Sequence, residues 1–186
     1  MTEIAPAQSL IAWVIAVKQG SLPPNAVKSC LDEMRLEHLV LDLMEIDVEE
    51  AAQIDALSDT VTPFGRSAQC FDELLQHSIQ QLQLFKLFGR TREGDYHRSF
   101  CPTAYDAATG EHYPEEMARW RADFRAMSPE RQMVATTLVW MYRSGPDSIW
   151  LRRVPCTWTA SEALYCMRDA GCLSLWLQLV ARYPGW

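Results

Sequence analysis

A chain of 186 residues, 48% of them apolar, buries a core without needing disulfide staples, and its net charge of −7 argues against a general polyanion binder. That charge is unevenly placed: Met1 to Pro63 carries eleven acidic residues against three basic ones, a net of −8, whereas Phe64 to Trp186 carries thirteen against fourteen, a net of +1. Six of the seven Trp residues lie from Trp120 onward, so charge gathers at one end and aromatic bulk at the other.

Helix periodicity dominates in chain order. The first helix is predicted over Pro6 to Lys18, stopped by Gly20 and blocked by Pro23 and Pro24. Apolar residues surround it on all sides, which predicts burial. A second helix is predicted from Pro24 or Asn25 to Ile46, with Val27, Leu31, Met34, His38 and Leu41 as one stripe, widened by Leu36, Leu39, Val40 and Leu43. Asp47 is a natural N-cap for a third helix, whose first turn contains Glu49 and Glu50 and which fades at Ser58. Thr60 to Arg66 reads as a linker. A long helix is then predicted from Ser67 to Phe88, with Phe71, Leu75, Ser78, Leu82 and Phe85 on its buried stripe, Leu74, Ile79 and Phe88 broadening it, and Gly89 ending it.

Residues 90–113 lack a period and read as an irregular loop. Pro114 opens a helix with Met117, Trp120, Phe124 and Met127 on one stripe, and Ser128 with Pro129 opens the next, carried by Val134, Leu138 and Met141. A short edge strand is expected over Ser148 to Val154, closed by Pro155. Thr159 and Glu162 form a capping box, Gly171 is placed as a left-handed cap, and Leu173 to Arg182 makes a final, very apolar helix. Trp120, Trp140 and Trp176 belong to the predicted core, while Trp150, Trp158 and Trp186 stand in less regular surroundings.

Four constellations carry possible chemistry. Cys70 and His77, seven apart on nearly one helical face, and His97 and Cys101, four apart in the loop with His112 further on, are weak candidates for zinc ligands; none sits at knuckle spacing. Cys101 beside Arg98, His97 and His112 is a candidate nucleophile, without any family-specific signature. The helices meeting at Gly171 resemble a helix-turn-helix in layout, with Ser174, Gln178 and Arg182 along one face of the second and Arg143, Arg152, Arg153 and Arg168 available for phosphates. Finally, ten carboxylates fall between Asp32 and Asp59 with Arg35 as the only cation among them. No Gly-rich phosphate loop, GxSxG elbow or HExxH motif occurs, which lowers nucleotide-binding and common hydrolase readings.

The six Cys residues form no CxxC pair and are expected as thiols, and the apolar run Leu10 to Val17 is far shorter than a bilayer span and has no Lys or Arg before it. Taken together, these features predict an all-α cytoplasmic protein of about seven or eight helices with at most a short edge strand or hairpin. An acidic N-terminal region over 1–63 and a Trp-rich body over 64–186 are expected to form one unit. The expected function is a non-enzymatic interaction or regulatory factor of adaptor, inhibitor or immunity type. It presents Asp42, Glu45, Asp47, Glu49 and Glu50 to a basic protein surface, without a cofactor. DNA binding through Ser174, Gln178 and Arg182, and zinc binding, stand as alternatives.

Overall fold

A computed structural model describes residues 6–20, 31–56, 66–91, 94–104, 113–142 and 157–185, which are predominantly α-helical as the periodicity predicts. In chain order the elements are α1 (Pro6–Lys18), α2 (Leu36–Glu45), α3 (Val48–Ala56), α4 (Ala68–Gln81), β1 (Phe88–Arg90), a 3-10 turn (Tyr96–Ser99), β2 (Phe100–Pro102), α5 (Pro114–Arg125), α6 (Pro129–Tyr142), α7 (Ala160–Asp169) and α8 (Leu173–Ala181). The chain divides into two compact units: Met1–Gly65 with Thr157–Arg182, and Arg66–Cys156 with Tyr183–Trp186. The terminal helix pair therefore packs with the acidic region rather than with residues 66–156.

In the first unit, α1 has the predicted bounds, and beyond it Gly20 takes φ +72° and donates its N–H to the Val17 carbonyl at 3.1 Å. The second predicted helix is not continuous. Residues 31–33 are helical, but Arg35 is extended (φ −80°, ψ 150°) and forms an antiparallel bridge with Thr159. Leu36 N–H donates to the Trp158 carbonyl at 3.0 Å, and Ala160 N–H to the Met34 carbonyl at 2.7 Å. Those two bonds tie the backbone across to another segment, so α2 starts afresh at Leu36 with its phase reset. Its buried face is Leu36, Leu39, Val40 and Leu43, whereas Leu41, predicted to share a buried stripe with Met34 and His38, is 46% exposed.

The caps of this unit are local and were readable. Asp47 Oδ1 accepts from Glu50 N–H at 2.8 Å while Glu50 Oε2 accepts from Asp47 N–H at 3.2 Å, a reciprocal cap on α3. Thr159 and Glu162 close the same box on α7, at 3.2 and 2.8 Å. At the other end of α7, Gly171 (φ +72°) donates to the Arg168 carbonyl and Cys172 to the Met167 carbonyl, both at 2.9 Å, a Schellman ending whose flanking Met167 and Cys172 are buried. α8 buries Trp176, Leu177, Leu179 and Val180. Against α3, Arg182 donates to both oxygens of Asp55 at 2.7 Å, and Gln178 Nε2 adds a bond to Asp55 Oδ1 at 3.1 Å. With both charges less than a tenth exposed, removing either one strands the other and costs about 3–5 kcal/mol.

In the second unit, Ser67 Oγ caps α4 by accepting from Cys70 N–H at 3.1 Å, and Phe71, Leu75, Ser78 and Ile79 are buried as predicted. The helix stops at Gln81, however, not at Phe88. Gln83 takes the left-handed conformation (φ 53°) and donates to the Gln80 carbonyl at 3.2 Å, while Leu84 donates to the Ile79 carbonyl at 2.8 Å. This is a Schellman ending without glycine, fastened by the buried pair Ile79 and Leu84. Phe85, predicted to be core, is consequently 62% exposed, and Leu84 and Leu87 are buried instead, while Phe88 is buried as predicted, although from a strand and not from the helix.

Gly89, predicted to end the helix, lies in β1 opposite Cys101 of β2, with Phe88 opposite Pro102 and Arg90 opposite Phe100. A hairpin thus occupies part of the stretch read as an irregular loop. The edge strand expected over 148–154 and the linker over 60–65 lie outside the described residues. Arg90 ties the hairpin to α4: its guanidinium donates to Asp72 Oδ1 and Oδ2 at 2.7 and 2.8 Å, to Ser99 Oγ at 2.8 Å and to the Tyr96 carbonyl at 3.2 Å. Phe88 stacks on Phe100 and meets Trp120 edge-on, Trp120 stacks on Phe124, and the Trp120 indole N–H donates to the Leu87 carbonyl at 2.7 Å. Trp120, Trp140 and Trp176 are buried as predicted; Trp158 is half-buried, and Trp150 and Trp186 lie outside the described residues.

Candidate functional site

The acidic stretch sorts into carboxylates used by the fold and carboxylates turned outward. Asp55 is buried against Arg182, and Asp32 accepts from Ser161 Oγ. Asp47 and Glu50 each spend one oxygen on the α3 cap. Glu33, Asp42, Glu45 and Glu49 are exposed, with Asp47 also at the surface and Glu37 and Glu50 half-buried. Asp59 lies outside the described residues. Helix geometry explains the outward set: with Leu39, Val40 and Leu43 facing the core, Asp42 and Glu45 fall on the opposite side of α2.

Two cations of this unit are engaged elsewhere. Arg182 is consumed by Asp55, and Arg168 pairs with Asp169 at 2.7 Å while lying over the Tyr165 ring. Among the described residues the ion pairs are Arg90–Asp72, Arg168–Asp169 and Arg182–Asp55, none of which touches Asp42, Glu45, Asp47 or Glu49. The imbalance is felt at Asp42. Partial burial and the neighbouring Glu45 carboxylate raise its pKa above the ordinary value, and His38 offsets this only in part.

Beside these carboxylates, α1 and α3 frame a groove of about 430 Å³. Ile11, Ala12 and Ile15 come from α1, and Asp47, Glu49, Glu50 and Gln53 from α3. α1 is apolar all round, and Trp13, Val14 and Val17 are fully buried; Ala12 is nevertheless exposed and Ile15 half-exposed. The groove is therefore apolar along α1 and acidic along α3. Sequence reasoning placed the acids but missed the apolar wall, although a helix without a polar face was the available signal.

The other candidate residues are dispersed. Cys70 and His77 are both exposed on α4, two turns apart; Cys101 is half-buried in the hairpin. His97 is 1% exposed, packed edge-on against Phe71 and Tyr183, and its Nε2 donates to the Gly185 carbonyl at 3.1 Å. Among the described residues no group of three or more His, Cys, Asp or Glu side chains is positioned to hold a metal ion, and His112 lies outside them. The His97 named beside Cys101 in the nucleophile reading is buried in an aromatic cluster and bonded to the Gly185 carbonyl. In that cluster the Tyr183 hydroxyl donates to the Met141 carbonyl at 2.8 Å, and burial pushes its pKa to about 12 against the pull of Arg98.

The base-reading trio fares differently at each position. Ser174 is half-buried, but Gln178 and Arg182 are 6% and 5% exposed and bonded to Asp55. Buried and turned toward Asp55, these two side chains are not presented to a base edge. Arg143, Arg152 and Arg153 lie outside the described residues. No helix among the described residues is long and apolar enough to cross a membrane. Compared with protein-family models, curated proteins and solved structures, the chain matches none.

Proposed function

We propose that the protein is a non-enzymatic interaction or regulatory factor, of adaptor, inhibitor or immunity type, that docks a basic protein partner on the α2–α3 face of its first unit. The observation that carries this reading is the outward set Asp42, Glu45, Asp47 and Glu49, exposed and without an ion pair among the described residues. Uncompensated carboxylates of one sign steer a cationic surface toward themselves and repel acidic competitors. The raised pKa of Asp42 adds to this, because an incoming cation relieves the repulsion from Glu45.

The test is affinity capture from the native cell with the wild-type chain and with the combined variant Asp42→Asn, Glu45→Gln, Asp47→Asn and Glu49→Gln. Asn at position 47 still serves as an N-cap, and Glu50 is untouched, so α3 keeps its reciprocal cap. Circular dichroism of both proteins checks that they remain folded. The wild type is expected to retain partners of basic isoelectric point and to lose them as ionic strength rises from about 0.01 to about 1 M, where the Debye length shrinks from about 30 to about 3 Å. The variant should retain them poorly at every salt concentration. Equal capture by the two proteins overturns the reading.

A further inference from the structure

We infer that the groove between α1 and α3 is the seat of a cationic amphipathic helix, whose apolar ridge lies on Ile11, Ala12 and Ile15 and whose Lys or Arg side chains meet Asp47, Glu49 and Glu50. This rests on the proposed basic partner and specifies the form in which that partner presents itself. Three features of the groove select the occupant. Its apolar wall belongs to a helix with no charged residue between Pro6 and Val17, and there Ala12 is exposed and Ile15 half-exposed above the buried Ile11, a narrow apolar strip facing the acidic wall. Its other wall is acidic, and Asp47 and Glu50 are fixed in place by their mutual cap rather than loosely displayed. Its volume, about 430 Å³, accommodates a short row of side chains rather than a whole domain face.

An amphipathic helix combines what the two walls require. Residues spaced three and four apart supply the ridge, and the flanking positions supply the cations. A purely polar cation satisfies only α3, and an acidic helix is repelled by it. A purely apolar ligand leaves Asp47 and Glu49 partly desolvated without a partner, at a cost in affinity. The second carboxylate oxygens of Asp47 and Glu50, beyond those used in the cap, are the acceptors available to the incoming cations.

Two synthetic peptides of identical composition, rich in Leu and Lys, test this. One places Leu at helical spacing on a single face, and the other scatters the same residues so that no apolar face forms. Binding of each to the full chain is measured by titration calorimetry, for the wild type, for Ala12→Trp and for Glu49→Gln. The amphipathic peptide is expected to bind the wild type at least about tenfold more tightly than the scrambled one, the equivalent of about 1.4 kcal/mol. Ala12 is exposed, so Trp at that position fills the groove without disturbing the core; this change should abolish the tenfold preference and leave the scrambled peptide unaffected. Glu49→Gln should weaken both peptides.

If both peptides bind the wild type equally and both weaken in Glu49→Gln, the acidic docking surface stands and the groove proposal is overturned. If neither binds at low salt, the basic-partner reading falls with it. Retention of the preference in Ala12→Trp also overturns the proposal, because the apolar wall would then not be the contact. Circular dichroism and thermal melting of Ala12→Trp verify its fold; Ala12→Leu, a smaller filling substitution, gives the same comparison where the larger one melts early.

Discussion

Asp42 and Asp55 show how differently two carboxylates of one acidic stretch behave. Asp55 is buried but answered by the bidentate Arg182, whereas Asp42 stands at the surface beside Glu45 and partly desolvated, so its pKa is raised. A raised folded-state pKa means that the folded chain holds the Asp42 proton more tightly than the unfolded chain does. The resulting stabilisation is fully present below the unfolded value of 3.8 and is lost as pH rises through the folded value, leaving ionised Asp42 a burden at neutral pH. Asp42→Asn is therefore expected to raise the melting temperature at pH 7, with the gain shrinking toward zero at about pH 3, where the wild-type carboxyl is itself protonated. Thermal denaturation at the two pH values checks this, and an unchanged or lower melting temperature at pH 7 contradicts it. The sequence showed both residues as acids in a run, but could not show that Arg182, far along the chain, would be drawn into the core by one of them.

Among the helices, what was legible was local. The bounds of α1, the Asp47 cap, the Thr159–Glu162 box and the Gly171 ending all depend on residues within a turn or two of each other. What was missed depends on distant partners or on a residue out of type. The break at Met34 and Arg35 exists because Thr159 and its neighbours take the backbone bonds there, and no spacing within α2 foretells it. The end of α4 was missed because Gln83 sits where glycine usually does. Comparing the two Schellman endings gives a prediction: Gly171 meets no left-handed penalty, while Gln83 at φ 53° does. Gln83→Gly should stabilise the second unit by about 0.5–1 kcal/mol, the relief of strain exceeding the added entropy of the unfolded chain. Denaturant unfolding monitored through α4 amides measures it, and a destabilised variant would mean that the exposed Gln83 side chain contributes more than its backbone strain costs.

At the scale of the whole molecule, the charge asymmetry read along the sequence becomes an asymmetry between folded units. Residues 157–182 add Glu162 and Asp169 against Arg168 and Arg182, so the first unit holds thirteen carboxylates against five cations, a net of −8, and the second holds eleven against twelve, a net of +1. The surplus survives folding undiluted, although the sequence could not say which acids the fold would consume. Like charges held on one unit repel one another, and this repulsion falls as salt screens it. Amide hydrogen exchange within α2 and α3, at Leu39, Val40, Leu43, Ala51 and Ile54, is therefore expected to slow as ionic strength rises from about 0.01 to about 0.15 M, where the Debye length falls from about 30 to about 8 Å. Amides of α5 and α6, such as Phe124 and Leu138, lie in the nearly neutral unit and should change little over the same range. Salt that screens repulsion also screens the proposed basic partner, so the conditions that steady the first unit are those expected to weaken the proposed docking. Equal slowing in both units would trace the effect to a general action of salt on burial, and the acidic face would then carry no particular strain for a partner to relieve.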